Sequence, residues 1–100
     1  MSEHQVSIAI EDCVITISGS IDRHTVSELT KQIDLNKLCK DQFSIDFSAV
    51  VRVDTAGLAW ILKIMAEGKQ SGQTVNLKAV PEALMSLAGI SGVDKLLQSV

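Results

Sequence analysis

Apolar and polar positions alternate from the start of the chain. In Val6-Ser7-Ile8-Ala9-Ile10, the side chains of Val6, Ile8 and Ile10 share one face, and Cys13 to Ser18 alternates again, with Ile15 and Ile17 on one face and Val14 and Thr16 on the other. Two such runs around the polar pair Glu11-Asp12 predict a β-hairpin. Gly19-Ser20-Ile21-Asp22 ends the second strand. Thr25-Val26-Ser27-Glu28 then fits a capping box, with a hydroxyl at the N-cap and a carboxylate three residues on. Val26, Leu29 and Ile33 supply the apolar stripe of a short helix. Asp34 to Gln42 is polar apart from Leu35 and Leu38 and reads as a loop or frayed turn.

A third strand follows where Phe43, Ile45 and Phe47 alternate with Ser44, Asp46 and Ser48. Strands disfavour Asp, so Asp46 is either a solvent-facing residue or one that shapes the loop before Asp54. The longest helix is expected from about Thr55 to Gln70, with Gly72 as its stop. Leu58, Ile61, Leu62 and Met65 face one way on it, and Lys63, Glu67 and Gln70 roughly the other. Gly57, Trp60 and Ile64 form a second stripe. That stripe either widens the buried arc between a sheet and a neighbouring helix or presents Trp60 to a partner, since Trp is enriched among interface anchors.

Thr74 to Val80 predicts a fourth strand, with Val75, Leu77 and Ala79 alternating. Pro81 suits the first position of a third helix, where its missing N–H costs nothing. Ala83, Leu84, Leu87 and Ala88 line that helix, and Gly89 fits its stop. Ser91 to Val100 offers a last short helix with Val93, Leu96 and Leu97 inward. The order β-β-α-β-α-β-α-α implies a single α/β domain with a mixed four-stranded sheet and helices packed on it.

Composition narrows the function. A chain of 100 residues holds one modest core. Its charged fraction of 21% and hydrophobic fraction of 46% suit a globular domain. The formal net charge is −3, and there is no basic stripe or stacking cluster, which argues against nucleic acid. No apolar run approaches the ~18–20 residues that span a bilayer, and Met1 to Gln5 is polar with no signal-peptide core. The expectation is a cytoplasmic protein without direct membrane insertion. Cys13 and Cys39 are far apart in sequence; they form a disulfide only if the fold brings them together, and otherwise read as two small apolar residues kept reduced.

Catalytic machinery is missing. The only histidines are His4 and His24, neither is near a nucleophile motif, and the two Cys and two His show no paired metal-ligand spacing. There is no phosphate-binding glycine loop. No catalytic residue, cofactor or metal is therefore expected. Interest centres instead on Val53-Asp54-Thr55-Ala56-Gly57-Leu58, where a carboxylate and a hydroxyl meet the positive end of the long helix. Asp54 and Thr55 are both good N-cap residues, and Gly57 lets another backbone or a ligand come close.

These residues carry a resemblance. Ile45-Asp46-Phe47-Ser48 followed by Asp54-Thr55-Ala56-Gly57-Leu58, together with Gly19-Ser20-Ile21-Asp22, resembles the STAS domain family over nearly the whole chain. The resemblance implies a non-enzymatic protein-interaction module, with Asp54, Thr55, Ala56, Gly57 and Trp60 forming the contact and Asp22 and His24 on the adjacent loop. One branch of the family serves Mla-type phospholipid-transport ABC systems, where the STAS subunit binds the cytoplasmic ATPase and supports assembly and activity. Thr at 55, the run Asp54 to Ala59, and the tail from Val80-Pro81 to Leu97 look like that branch. It implies a protein held at the inner membrane only through its partner. The alternative branch is the anti-sigma-factor antagonists, in which Thr55 would be the phosphoacceptor of a partner anti-sigma kinase. Ala56 departs from the Ser or Gly common at that position, which removes a hydroxyl from the switch.

Overall fold

The computed structural model describes residues 6–33 and 41–93. Strand β1 (Val6–Glu11) and strand β2 (Val14–Ile21) form the hairpin. Helix α1 (Val26–Gln32) follows, then strand β3 (Gln42–Val53), helix α2 (Thr55–Gln70), strand β4 (Thr74–Lys78) and helix α3 (Glu82–Ile90). The sheet order is β1-β2-β3-β4, antiparallel between β1 and β2 and parallel elsewhere. This is the mixed four-stranded α/β sheet that the pattern predicts.

Register explains the layers. Ile10 pairs with Ile15, Ile15 with Ile45, and Ile45 with Leu77, so one face is an apolar row across all four strands. Phe43, Phe47, Ile17 and Val75 extend it, and Leu29, Leu58, Ile61, Ile64, Leu84 and Ala88 cover it from the helices. The opposite face carries Thr16, Asp46 and Lys78 in one row and Val14, Ser44 and Asn76 in the next. Among the described residues no helix is long and apolar enough to cross a membrane.

Several boundaries differ from the sequence reading, each for a local reason. The hairpin turn is Asp12-Cys13 rather than Glu11-Asp12, because both turn residues take positive φ, 50° and 67°. Such a two-residue turn matches the twist of the flanking strands. Cys13 is disulfide-bonded rather than a reduced thiol; Cys39 lies outside the described residues. Strand β4 stops at Lys78 because Ala79 turns to a φ of 56°. Pro81 is the N-cap of α3 and not its first residue, with an extended ψ of 146°. Gly89 lies inside α3; the left-handed residue beyond its end is Gly92, at φ 76°. The expected loop over Asp34 to Gln42 falls outside the described residues except for its last two positions, and the expected final helix except for Ser91 to Val93.

Strand β3 is longer than its alternation suggests, because it is bulged twice. Thr16 pairs with Asp46 but Ser18 with Ala49, so β3 carries one extra residue around Phe47-Ser48. Gly19 pairs with Val50 but Ser20 with Arg52, so Val51 is a second extra residue. Each bulge shifts the alternation by one position and hides the strand from a period-two reading. Asp46 holds the first: its Oδ1 accepts the Ser48 N–H at 2.8 Å. That hydrogen bond, then one from the Ser48 hydroxyl and the nearby charge of Lys78, hold the Asp46 carboxyl below the usual carboxylate range against a small opposing desolvation.

Candidate functional site at the start of helix α2

The parallel strands β2 and β3 end side by side, Ile21 against Val53. The chain leaves β2 into the loop Asp22 to Thr25 and leaves β3 into α2, so both segments meet at the carboxyl end of the sheet. Asp54 joins them. As the N-cap of α2 its Oδ1 accepts the Gly57 N–H at 2.9 Å, and its Oδ2 accepts the Arg23 N–H at 3.3 Å across 31 residues of sequence. The Asp54 N–H in turn donates to the Ile21 carbonyl at 3.2 Å.

Gly57 makes this closeness possible. A Cβ built at Gly57 would overlap the Ile21 carbonyl oxygen and lie 2.9 Å from its carbon. A Cβ at Gly68, near the other end of α2, would lie 2.6 Å from Val75 Cγ2. The helix therefore rests on the sheet through two bare positions about three turns apart. Both glycines are buried.

The loop has its own frame. Thr25 Oγ1 accepts the Asp22 N–H at 2.9 Å and donates to the Ser20 carbonyl at 2.9 Å. Thr25 is the N-cap of α1 by position, yet its side chain makes no cap bond, and the predicted capping box is not formed. The hydroxyl turns back into the loop because it is buried there beside an N–H and a carbonyl that need a partner. Asp22 Oδ1 accepts the His24 N–H at 2.8 Å, and Asp22 is only 2% exposed. His24 is exposed, and its Nε2 accepts from Arg23 Nε at 3.3 Å.

The seven residues expected at the contact thus divide. Thr55 and His24 are exposed and Ala56 is half-buried, all on one rim. Asp54 is half-buried, with both carboxylate oxygens engaged within the chain. Asp22, Gly57 and Trp60 are buried within the chain. Trp60 is 5% exposed and belongs to the core cluster, because the second stripe of α2 widens the buried arc rather than facing outward. Its indole N–H is buried without a hydrogen-bond partner. The sequence reading missed Arg23, whose backbone ties the loop to Asp54, and Thr25 as an internal brace. No pattern marked the first. The second was visible as a hydroxyl, but a cap is the commoner use for one at that position.

Among the described residues the rim offers the Thr55 hydroxyl, the His24 imidazole and the Arg23 guanidinium.

Comparison with known proteins gives this geometry a context. The family model described as "Mlab, STAS domain" matches residues 4–98. The chain is similar to the intermembrane phospholipid transport system binding protein MlaB of Escherichia coli strain K12, at 32% identity over 74 residues, 74% of each chain. The MlaB of Shigella flexneri matches to the same extent, 32% over 74% of each chain. Among solved structures, the fold is similar to that of a sulfate transporter family protein from Wolinella succinogenes, with a TM-score of 0.67, 18% identity, and coverage of 84% of this chain and 69% of that one.

Proposed function

The chain belongs to the STAS domain family, and from that premise we propose that it is the STAS subunit of an Mla-type phospholipid transport system, docking on the cytoplasmic ATPase subunit of that ABC transporter. In this reading it catalyses nothing itself. It supports assembly and activity of the transporter, lies in the cytoplasm, and is held at the inner membrane only through its partner.

One observation carries the site. At the start of α2 the polar groups divide cleanly: the Asp54 carboxylate is spent on the fold, while the Thr55 hydroxyl beside it stands exposed. A small neutral hydroxyl on a rigid helix end fits a partner pocket without burying a charge. The similarity to MlaB, a phospholipid transport system binding protein, supports a transport-system partner.

The test is co-purification of tagged chain from its host, wild type beside Thr55→Glu. The expected result is an ABC ATPase and its permease with the wild type alone, and a Thr55→Glu protein that stays folded because its side chain points to water. Equal recovery by folded Thr55→Glu would remove Thr55 from the contact. Recovery of neither transporter subunit by wild type would remove the transporter reading.

The exposure of the same hydroxyl also supports a second reading, an anti-sigma-factor antagonist phosphorylated at Thr55. A phosphate there would add nearly two negative charges beside Asp54. Intact mass after incubation with ATP and the anti-sigma kinase tests it: one phosphate, absent in Thr55→Ala, is the supporting result, and an unchanged mass eliminates it.

A further inference from the structure

Cys13 is disulfide-bonded, and the chain's other cysteine is Cys39. The bond therefore closes a ring from 13 to 39. That ring encloses β2, the loop Asp22 to Thr25 and α1. The loop side of the candidate rim, Arg23 and His24, lies inside it. The charges beside the two cysteines in sequence are opposite. Glu11 and Asp12 precede Cys13, while Lys37 and Lys40 flank Cys39. Such charges draw the two segments together before any bond forms.

Backbone geometry marks Cys13 independently. It takes the second position of the two-residue hairpin turn at φ 67°, where glycine is the usual residue because a side chain crowds the backbone there. A cysteine persists at such a position when its surroundings hold it. Here the Cys13 carbonyl accepts the Ser44 N–H at 2.9 Å, which fixes the turn beside the start of β3. Glu11 and Asp12 are exposed and Cys13 is half-buried, so a small thiol reaches the turn. The turn and the rim lie at opposite ends of β2, and an effect on the rim passes through α1 and the loop. Helix α1 has Leu29 as its buried residue and no side-chain cap bond, so it is the element that gains most from a tether.

We propose that Cys13 and Cys39 are a reversible redox pair whose oxidised state holds α1 and the loop Asp22 to Thr25 in the arrangement that the docking rim needs. This rests on the reading of the chain as a cytoplasmic docking module. In a reducing compartment lasting disulfides are rare, and accessible ones are usually transient and redox-sensing. The reductant is a dithiol. Its thiolate attacks one sulfur of the pair, the S–S bond breaks, and the other cysteine leaves as a thiolate and takes up a proton. The second thiol of the reductant then loses its proton and displaces the first cysteine from the mixed disulfide, and that cysteine is protonated in turn. Two electrons and two protons pass to the protein, and the dithiol ends as a disulfide. An oxidised dithiol runs the sequence backwards.

The experiment uses the whole chain without a partner. Iodoacetamide should add nothing to the intact mass of the oxidised protein and two adducts after dithiothreitol, one for each cysteine. Proteolysis of the oxidised form should recover one cross-linked pair of peptides joining 13 to 39. Mixtures of reduced and oxidised glutathione should move the protein between the two forms. In the reduced form and in Cys39→Ser, hydrogen exchange at Arg23, at His24 and along α1 should speed up about ten-fold, while Ile15 and Ile17 in β2 stay protected. Free thiols after oxidation, or a disulfide-linked dimer, overturn the pair. A bond that stays closed across the glutathione series, or protection lost at Ile15 and Ile17 on reduction, makes it a permanent staple and overturns its reversibility. Unchanged exchange at Arg23 and His24 overturns its link to the rim. If Cys39→Ser fails to fold, the reduced wild type decides alone. No partner enters these measurements, so the redox pair and the docking reading fail separately.

Discussion

The α-carbon of Gly57 sits against the carbonyl of Ile21, with no room for a methyl group between them. That same carbonyl accepts the Asp54 N–H. The contact sets how low α2 lies on the sheet. Gly57→Ala would have to lift the helix or break the hydrogen bond. It should destabilise the domain by about 1–3 kcal/mol, the usual cost of overpacking, even though Ala favours helices over Gly. Urea denaturation measures this, and a Gly57→Ala protein as stable as wild type would mean the approach is looser than the structure shows.

Asp54 should be the more informative position for the loop. Asp54→Ala removes the cap on Gly57 and the tether to Arg23 together and should cost about 1–2 kcal/mol. Asn is as good a cap, so Asp54→Asn should lose less. Hydrogen exchange can separate the two roles. The Gly57 amide should exchange faster only in Asp54→Ala, whereas the Arg23 amide, which faces the second carboxylate oxygen, should speed up in both. An Arg23 amide as protected in Asp54→Ala as in wild type would break the proposed link between loop and helix.

Asp46 gives a dependence on pH whose sign is fixed. Its carboxyl is held below the usual range, first by the Ser48 N–H, then by the Ser48 hydroxyl and Lys78. A group with a lowered value in the folded state stabilises the fold at pH above its unfolded value. That contribution fades as pH falls and is gone once pH passes below the folded value. Carboxyl chemical shifts through an acid titration should place Asp46 below the exposed acids of the chain. Ser48→Ala and Lys78→Ala should each move it part of the way back, and an ordinary Asp titration in wild type would contradict the hydrogen bond at the bulge.

Much of this was legible in the sequence. The hairpin and the order of strands and helices from β1 to α3 follow from apolar spacing, since each of those elements has one buried face, and the limits of α2 follow from its cap residues and the Gly72 stop. Asp54 as a cap was legible because the chemistry of a cap is local. What stayed hidden depends on residues far apart in the chain. Trp60 could have faced water or core, and only the packing of α2 on the sheet decides. The hydroxyl of Thr25 had two possible uses, and the burial of the Ser20 carbonyl selects the less common one. Val51 was invisible because the two bulges of β3 break the alternation that identifies a strand.

The tie between Asp54 and Arg23 has a kinetic consequence. Segments 31 residues apart are joined through one carboxylate before any partner arrives. In the docking proposed above, loop and helix end would meet the partner already joined, and this link would not have to form after collision. The chain's side of the encounter should proceed without a slow rearrangement, so that differences in lifetime, more than in arrival rate, set how tightly related partners are held.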